Sequence, residues 1–130
     1  LHTPIFTQRM VAAVMKDGFL DRHVPTIRAL YKQQRDAMVA ALEREMQGLD
    51  VQFTRPVGGM FLWLRMPEGI NATALLAQAV ERNVAFVPGA PFYAGEADER
   101  TLRLSFVTAS VEQIDTAIAA LAATVREQVR

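Results

Sequence analysis

No cysteine occurs in this chain of 130 residues, which excludes a disulfide framework, thiolate metal sites and a thiol nucleophile, and fits a reducing cytoplasm. Histidine is nearly as scarce. His2 and His23 lie far apart, flank predicted helices and have no closely spaced carboxylate, so neither metal ligation nor a catalytic triad assembles around them. A charge excess of either sign is missing too. The 14 acidic side chains balance 14 basic ones, and the scattered cations argue against a nucleic-acid partner. Arg28, Lys32 and Arg35 come nearest to a basic stripe, on what reads as the solvated side of a helix. No apolar run approaches the roughly 20 residues of a membrane span. The opening Leu1-His2-Thr3-Pro4 also lacks the basic-then-apolar order of a signal peptide. A start at Leu1 without an initiator methionine reads as a processed chain or as a piece excised from a longer one.

What is present describes a single domain over 1–130. Half of the residues are hydrophobic, and a chain of this length buries roughly two thirds of the surface it exposes when unfolded, enough for a core without metal or disulfides. Thr3-Pro4 signals a helix that carries Phe6, Met10 and Val14 and stops at Gly18. Pro25 then opens a longer helix with a stripe of Ile27, Leu30, Tyr31, Met38, Ala41, Leu42 and Met46, ending at Gly48. Val51–Thr54 and Met60–Arg65 read as a hairpin around Pro56 and Gly58-Gly59. Asn71 caps a third helix that stops near Asn83, and Val84–Val87 reads as a strand ending in Pro88-Gly89. Thr101–Phe106 reads as the last strand. Ser110 with Gln113 forms a capping box for a final helix whose apolar face is Ile114, Ala117, Ile118, Leu121, Ala122 and Val125. The fold class expected is α+β: two layers, a short and mainly antiparallel sheet with helices packed on it.

Two strands carry more than a core requires. Met60-Phe61-Leu62-Trp63-Leu64 is apolar on both faces, which a strand tolerates only when both faces are covered or when one lines a ligand site. Arg103 stands alone in Thr101-Leu102-Arg103-Leu104-Ser105-Phe106, where alternation puts Leu102, Leu104 and Phe106 on one face and Arg103 with Ser105 on the other. A permanent cation there is either a solvated face residue or a clamp for a carboxylate. Gly58-Gly59 and Gly89 lack the strand, glycines, helix order of a phosphate loop and read first as tight turns, although a glycine pair also lets a ligand approach the backbone.

Three stretches taken together carry a resemblance. Thr54-Arg55-Pro56-Val57-Gly58-Gly59-Met60-Phe61-Leu62-Trp63-Leu64, then Val84-Ala85-Phe86-Val87-Pro88-Gly89-Ala90-Pro91-Phe92, then Thr101 to Phe106, resemble in order and spacing the C-terminal small domain of class I, fold-type I pyridoxal-phosphate-dependent aminotransferases. The α-aminoadipate and aromatic aminotransferases are the most similar subgroup. The resemblance covers essentially the whole chain. It implies that Arg103 binds the α-carboxylate of an amino acid or 2-oxo acid substrate, and that Gly59, Pro88, Gly89 and Phe92 lie near the substrate. It further implies a homodimeric parent, with 1–50 as a helical lead-in against a large domain that precedes Leu1.

The resemblance also implies parts that this chain does not have. Transamination needs a lysine that holds pyridoxal phosphate as a Schiff base and shuttles a proton, and in the family that lysine belongs to the large domain. Only Lys16 and Lys32 are available here, one ending the first predicted helix and one on the exposed side of the second. The expectation is therefore no catalytic, cofactor-binding or metal-ligating residue in this chain, no cofactor bound covalently to it, and no turnover by it alone. Two other parents fit the same residues: a winged-helix transcription regulator with an aminotransferase-like effector domain, and a free-standing α+β module for amino-acid binding or dimerisation.

Overall fold

A computed structural model describes residues 1–129. The chain divides into two compact units, Leu1–Leu30 and Tyr31–Arg130. In the first, helix α1 (Ile5–Val14) begins one residue after the expected start. Pro4 is its N-cap, no side chain caps it, and the Gln8 amide donates to the Thr3 carbonyl at 2.8 Å. Asp17 and Gly18 both have positive φ, and this left-handed pair breaks the backbone between α1 and the next helix. The Arg22 guanidinium donates to the Asp17 carbonyl freed by the break. No residue of this unit is buried.

Helix α2 spans Phe19–Glu45, so it starts six residues earlier than the sequence suggests, and Pro25 lies inside it rather than opening it. Proline's missing N–H would have donated to the Asp21 carbonyl. Asp21, Arg22 and Pro25 are solvent-exposed, so the Asp21 carbonyl is open to solvent rather than buried without a donor, and the helix runs through.

The second unit is built on a sheet of four strands, β1 (Gln52–Phe53), β2 (Phe61–Arg65), β3 (Val87–Pro88) and β4 (Thr101–Ser105), in the order β1-β2-β4-β3 with every pair antiparallel. Helix α3 (Ala72–Glu81) links β2 to β3, and α4 (Val111–Gln128) follows β4. Asn71 caps α3 by accepting from the Thr73 and Ala74 amides, and the Ser110–Gln113 capping box starts α4. Leu62 and Leu64 of β2 and Leu102 and Leu104 of β4 point to one face of the sheet. They form the core with Met38, Ala41 and Leu42 of α2, Leu75 and Ala79 of α3, and Ile114, Ile118, Leu121 and Val125 of α4. The result is the expected two-layer α+β arrangement.

Strand β3 is shorter than the run Val84–Val87 that the sequence offers. The Val84 amide is committed to the Ala79 carbonyl at 2.9 Å as the chain leaves α3 through Asn83, whose φ is 60°. Ladder pairing begins only at Val87, and Pro88, which has no N–H, sits on an edge strand where none is needed.

Candidate functional site

The register of the sheet decides what surrounds Arg103. Arg103 of β4 pairs with Trp63 of β2 on one side and Val87 of β3 on the other, while Phe61 pairs with Ser105. All five side chains therefore lie on the face opposite the core. None of them is buried, so no helix of this unit covers that face. The doubly apolar character of β2 is thus resolved: Leu62 and Leu64 serve the core, and Phe61 and Trp63 serve an open face.

The guanidinium of Arg103 rests on aromatic rings. Its central carbon lies 4.0 Å from the Phe61 ring centre and 4.9 Å from that of Phe92. Phe92 closes a short 3₁₀ turn over Ala90–Phe92, and Trp63 meets it edge to face at 5.3 Å and 86°. A quadrupolar ring face attracts a cation without neutralising it. Several arginines of this unit are matched by carboxylates, Arg65 with Asp98 at 2.8 Å, Arg55 with Glu43 at 2.9 Å and Arg82 with Glu127 at 2.6 Å, while Arg100 and Arg126 donate to the Met66 and Glu45 carbonyls. Arg103 has no acidic partner among the described residues. Its Nε–H is shut off from solvent with no acceptor, and among the described residues the only other buried side-chain polar atom without a partner is Oε1 of Gln34, which lacks a donor. A concavity of about 180 Å³ lies beside it, lined by Phe61, Ala85, Phe86, Val87, Arg103 and Ser105. A half-buried, unmatched, planar cation beside a concavity is suited to a carboxylate, whose two oxygens fit the guanidinium fork.

The other residues singled out in the sequence divide by role. Phe92 shares the cluster with Arg103. Pro88 pairs with Leu102, one residue along β4 from Arg103. Gly89 is buried, and its amide donates to the Thr101 carbonyl at 2.7 Å. Gly59, with φ of 80° and open space where a side chain would be, forms the turn into β2. Phe61 and Trp63 were legible only as a stripe. The cross-strand register that sets them beside Arg103 is not written in either strand alone.

The two lysines do not fit a cofactor site. Lys32 is 68% exposed and paired with Asp36 at 2.6 Å, and Lys16 is exposed in the turn after α1. Three or more metal-ligating side chains gather nowhere among the described residues. No helix among them is long and apolar enough to cross a membrane.

The family model described as aminotransferase class I and II matches residues 1–121. A 2-aminoadipate transaminase of Thermus thermophilus is 46% identical over 114 residues, covering 88% of this chain and 28% of its own. Aromatic-amino-acid aminotransferase 1 of Thermococcus litoralis is 41% identical over the whole chain and 31% of its own length. Among solved structures, an α-aminoadipate aminotransferase from Thermus thermophilus, complexed with N-(5'-phosphopyridoxyl)-L-leucine, superposes with a TM-score of 0.90 at 41% identity. That match covers 99% of this chain and 33% of the other. The chain thus spans about a third of the length of the relatives it matches.

Proposed function

The chain belongs to the class I and II aminotransferases, and from that premise we propose that it is the carboxylate-binding portion of an enzyme that moves an amino group between an α-amino acid and a 2-oxo acid. The observation that carries the proposal is Arg103, half-buried on aromatic rings and without an acidic partner among the described residues. A carboxylate supplies the charge that this site lacks. Its plane, fixed by two parallel N–H···O bonds, would also fix the orientation of the bond to be broken at Cα. Phe92 would form the rim of the site, while Gly59, Pro88 and Gly89 shape the backbone near it.

In this reading the whole protein uses pyridoxal phosphate, the group whose amino-acid adduct sits in the Thermus structure, held by residues outside this chain. The apolar surface of residues 1–50 packs against that remaining portion, and two copies complete the enzyme. The cysteine-free composition suits the cytoplasm. Relatives at 46% and 41% identity are enzymes, which favours an enzyme parent over a regulator.

The test is Arg103→Ala in the full-length protein. Each charge-assisted bond lost from a desolvated site is worth about 1.5–3 kcal/mol, so kcat/KM for an amino donor should fall at least about tenfold, and Arg103→Lys should not restore it. Unchanged kinetics would remove the carboxylate role. The chain by itself, mixed with an equimolar amount of pyridoxal phosphate, should develop no aldimine absorbance band beyond that of free lysine under the same conditions. A saturable band lost in Lys16→Ala or Lys32→Ala would overturn the view that the cofactor lysine lies elsewhere.

A further inference from the structure

Trp63 is the residue directly opposite Arg103 across the β2–β4 ladder, yet it does not receive the guanidinium. Phe61, diagonal to Arg103 and paired with Ser105, lies beneath it at 4.0 Å, while Trp63 turns edge-on to Phe92. The diagonal neighbours of an antiparallel pair are within reach of aromatic and long side chains. The consequence is a divided cradle: Phe61 is a floor on the rigid central strand, and Phe92 is a side wall on a short exposed turn, braced by Trp63.

Arg103 has five N–H groups, and the cradle does not treat them alike. Of its three nitrogens only Nε is both shut off from solvent and without an acceptor. A ligand thus cannot grip the guanidinium side-on through Nε and one terminal nitrogen. Only Nη1 and Nη2 remain as a fork, approached end-on. With no ion pair to orient it, the plane of that fork is set by the ring it lies against.

We propose, on the basis of the carboxylate reading above, that Phe61 is the positioning residue of Arg103, holding the guanidinium so that it presents Nη1 and Nη2 end-on to the substrate carboxylate. Phe61 touches no reacting atom in this scheme. It acts through the arginine, and its ring face rather than its bulk is what matters.

The full-length, cofactor-loaded enzyme tests this with Phe61→Leu, Phe61→Tyr, Arg103→Ala and the double variant Phe61→Leu/Arg103→Ala. Loss of one cation–π contact at a half-buried site corresponds to about a three- to tenfold change. Phe61→Leu should raise KM for an α-amino acid by that factor with a smaller change in kcat, and Phe61→Tyr, which keeps the ring face, should restore it. In the Arg103→Ala background Phe61→Leu should add nothing. Multiplicative effects in the double variant, or a Phe61→Tyr variant as impaired as Phe61→Leu, would overturn the positioning role while leaving Arg103 as the carboxylate ligand. Failure of the carboxylate reading has a different signature, an Arg103→Ala enzyme with unchanged kinetics. Should Phe61→Leu not fold, Phe61→Met, which keeps an apolar side chain but no ring, carries the same expectation.

Discussion

At Gly89 a side-chain carbon would stand 2.0 Å from the Thr101 hydroxyl oxygen, 2.8 Å from its Cβ and 3.0 Å from its carbonyl oxygen. The hydroxyl could rotate away, but the Cβ and the carbonyl belong to the central strand. Gly89 therefore owes its identity to close backbone approach beside Arg103, and a direct substrate contact is not needed to explain it. Gly89→Ala should destabilise the protein by about 1–3 kcal/mol, read from a urea midpoint, with partial recovery when combined with Thr101→Gly. Nothing in Val87-Pro88-Gly89-Ala90 reveals this, because the obstructing residue is on another strand. Asp36 illustrates a local effect instead. Hydrogen bonds from Lys32 and then Arg35 hold its carboxyl below the usual 3.8. A carboxyl depressed on folding stabilises above its unfolded pKa, and that contribution is lost as pH falls through the lower folded value. The NMR titration midpoint of Asp36 should lie below 3.8, rise in Lys32→Met, and rise with salt because the pair is exposed.

Elements whose boundaries are set by neighbouring residues were the most legible. Asn71 and Ser110–Gln113 sit at the starts of α3 and α4 because each cap bonds an amide two or three residues ahead, a relation that sequence spacing contains. Ser110→Ala should cost about 1 kcal/mol of stability by chemical denaturation. The start of α2 was not legible, since proline favours a first turn but does not demand one, and only the left-handed break at Asp17-Gly18 shows where the helix resumes. Interior proline costs about 3 kcal/mol relative to alanine, so Pro25→Ala should raise the far-ultraviolet helical signal and the thermal midpoint. An unchanged or lowered midpoint would mean that Pro25 relieves a strain not visible in its own helix. Strand β3 is shorter than its composition suggests for a related reason: Val84 to Phe86 have the composition of a strand, but the exit of α3 claims the first amide.

For the molecule as a whole, the two units differ in how they are held. The core joins α3, α4, the sheet and part of α2, whereas Leu1–Leu30 buries nothing and exposes Ile5, Phe6, Met10, Val11, Val14 and Met15. Hydrogen exchange on the chain alone should be fast through α1 and slow through α4, and the contrast should shrink in the full-length protein if the remaining portion covers that surface. The alternation in β2 and β4 made the two-layer arrangement readable in advance. The order β1-β2-β4-β3 has a consequence in time. Phe61 and Arg103 belong to adjacent strands, but α3 and β3 lie between them in sequence, so the central ladder forms only after that whole segment has been drawn into a closed loop. Loop closure must precede the contacts that reward it. The contact between guanidinium and ring is thus a non-local one, and a nascent chain still short of β4 has the floor of the site but nothing to lay upon it.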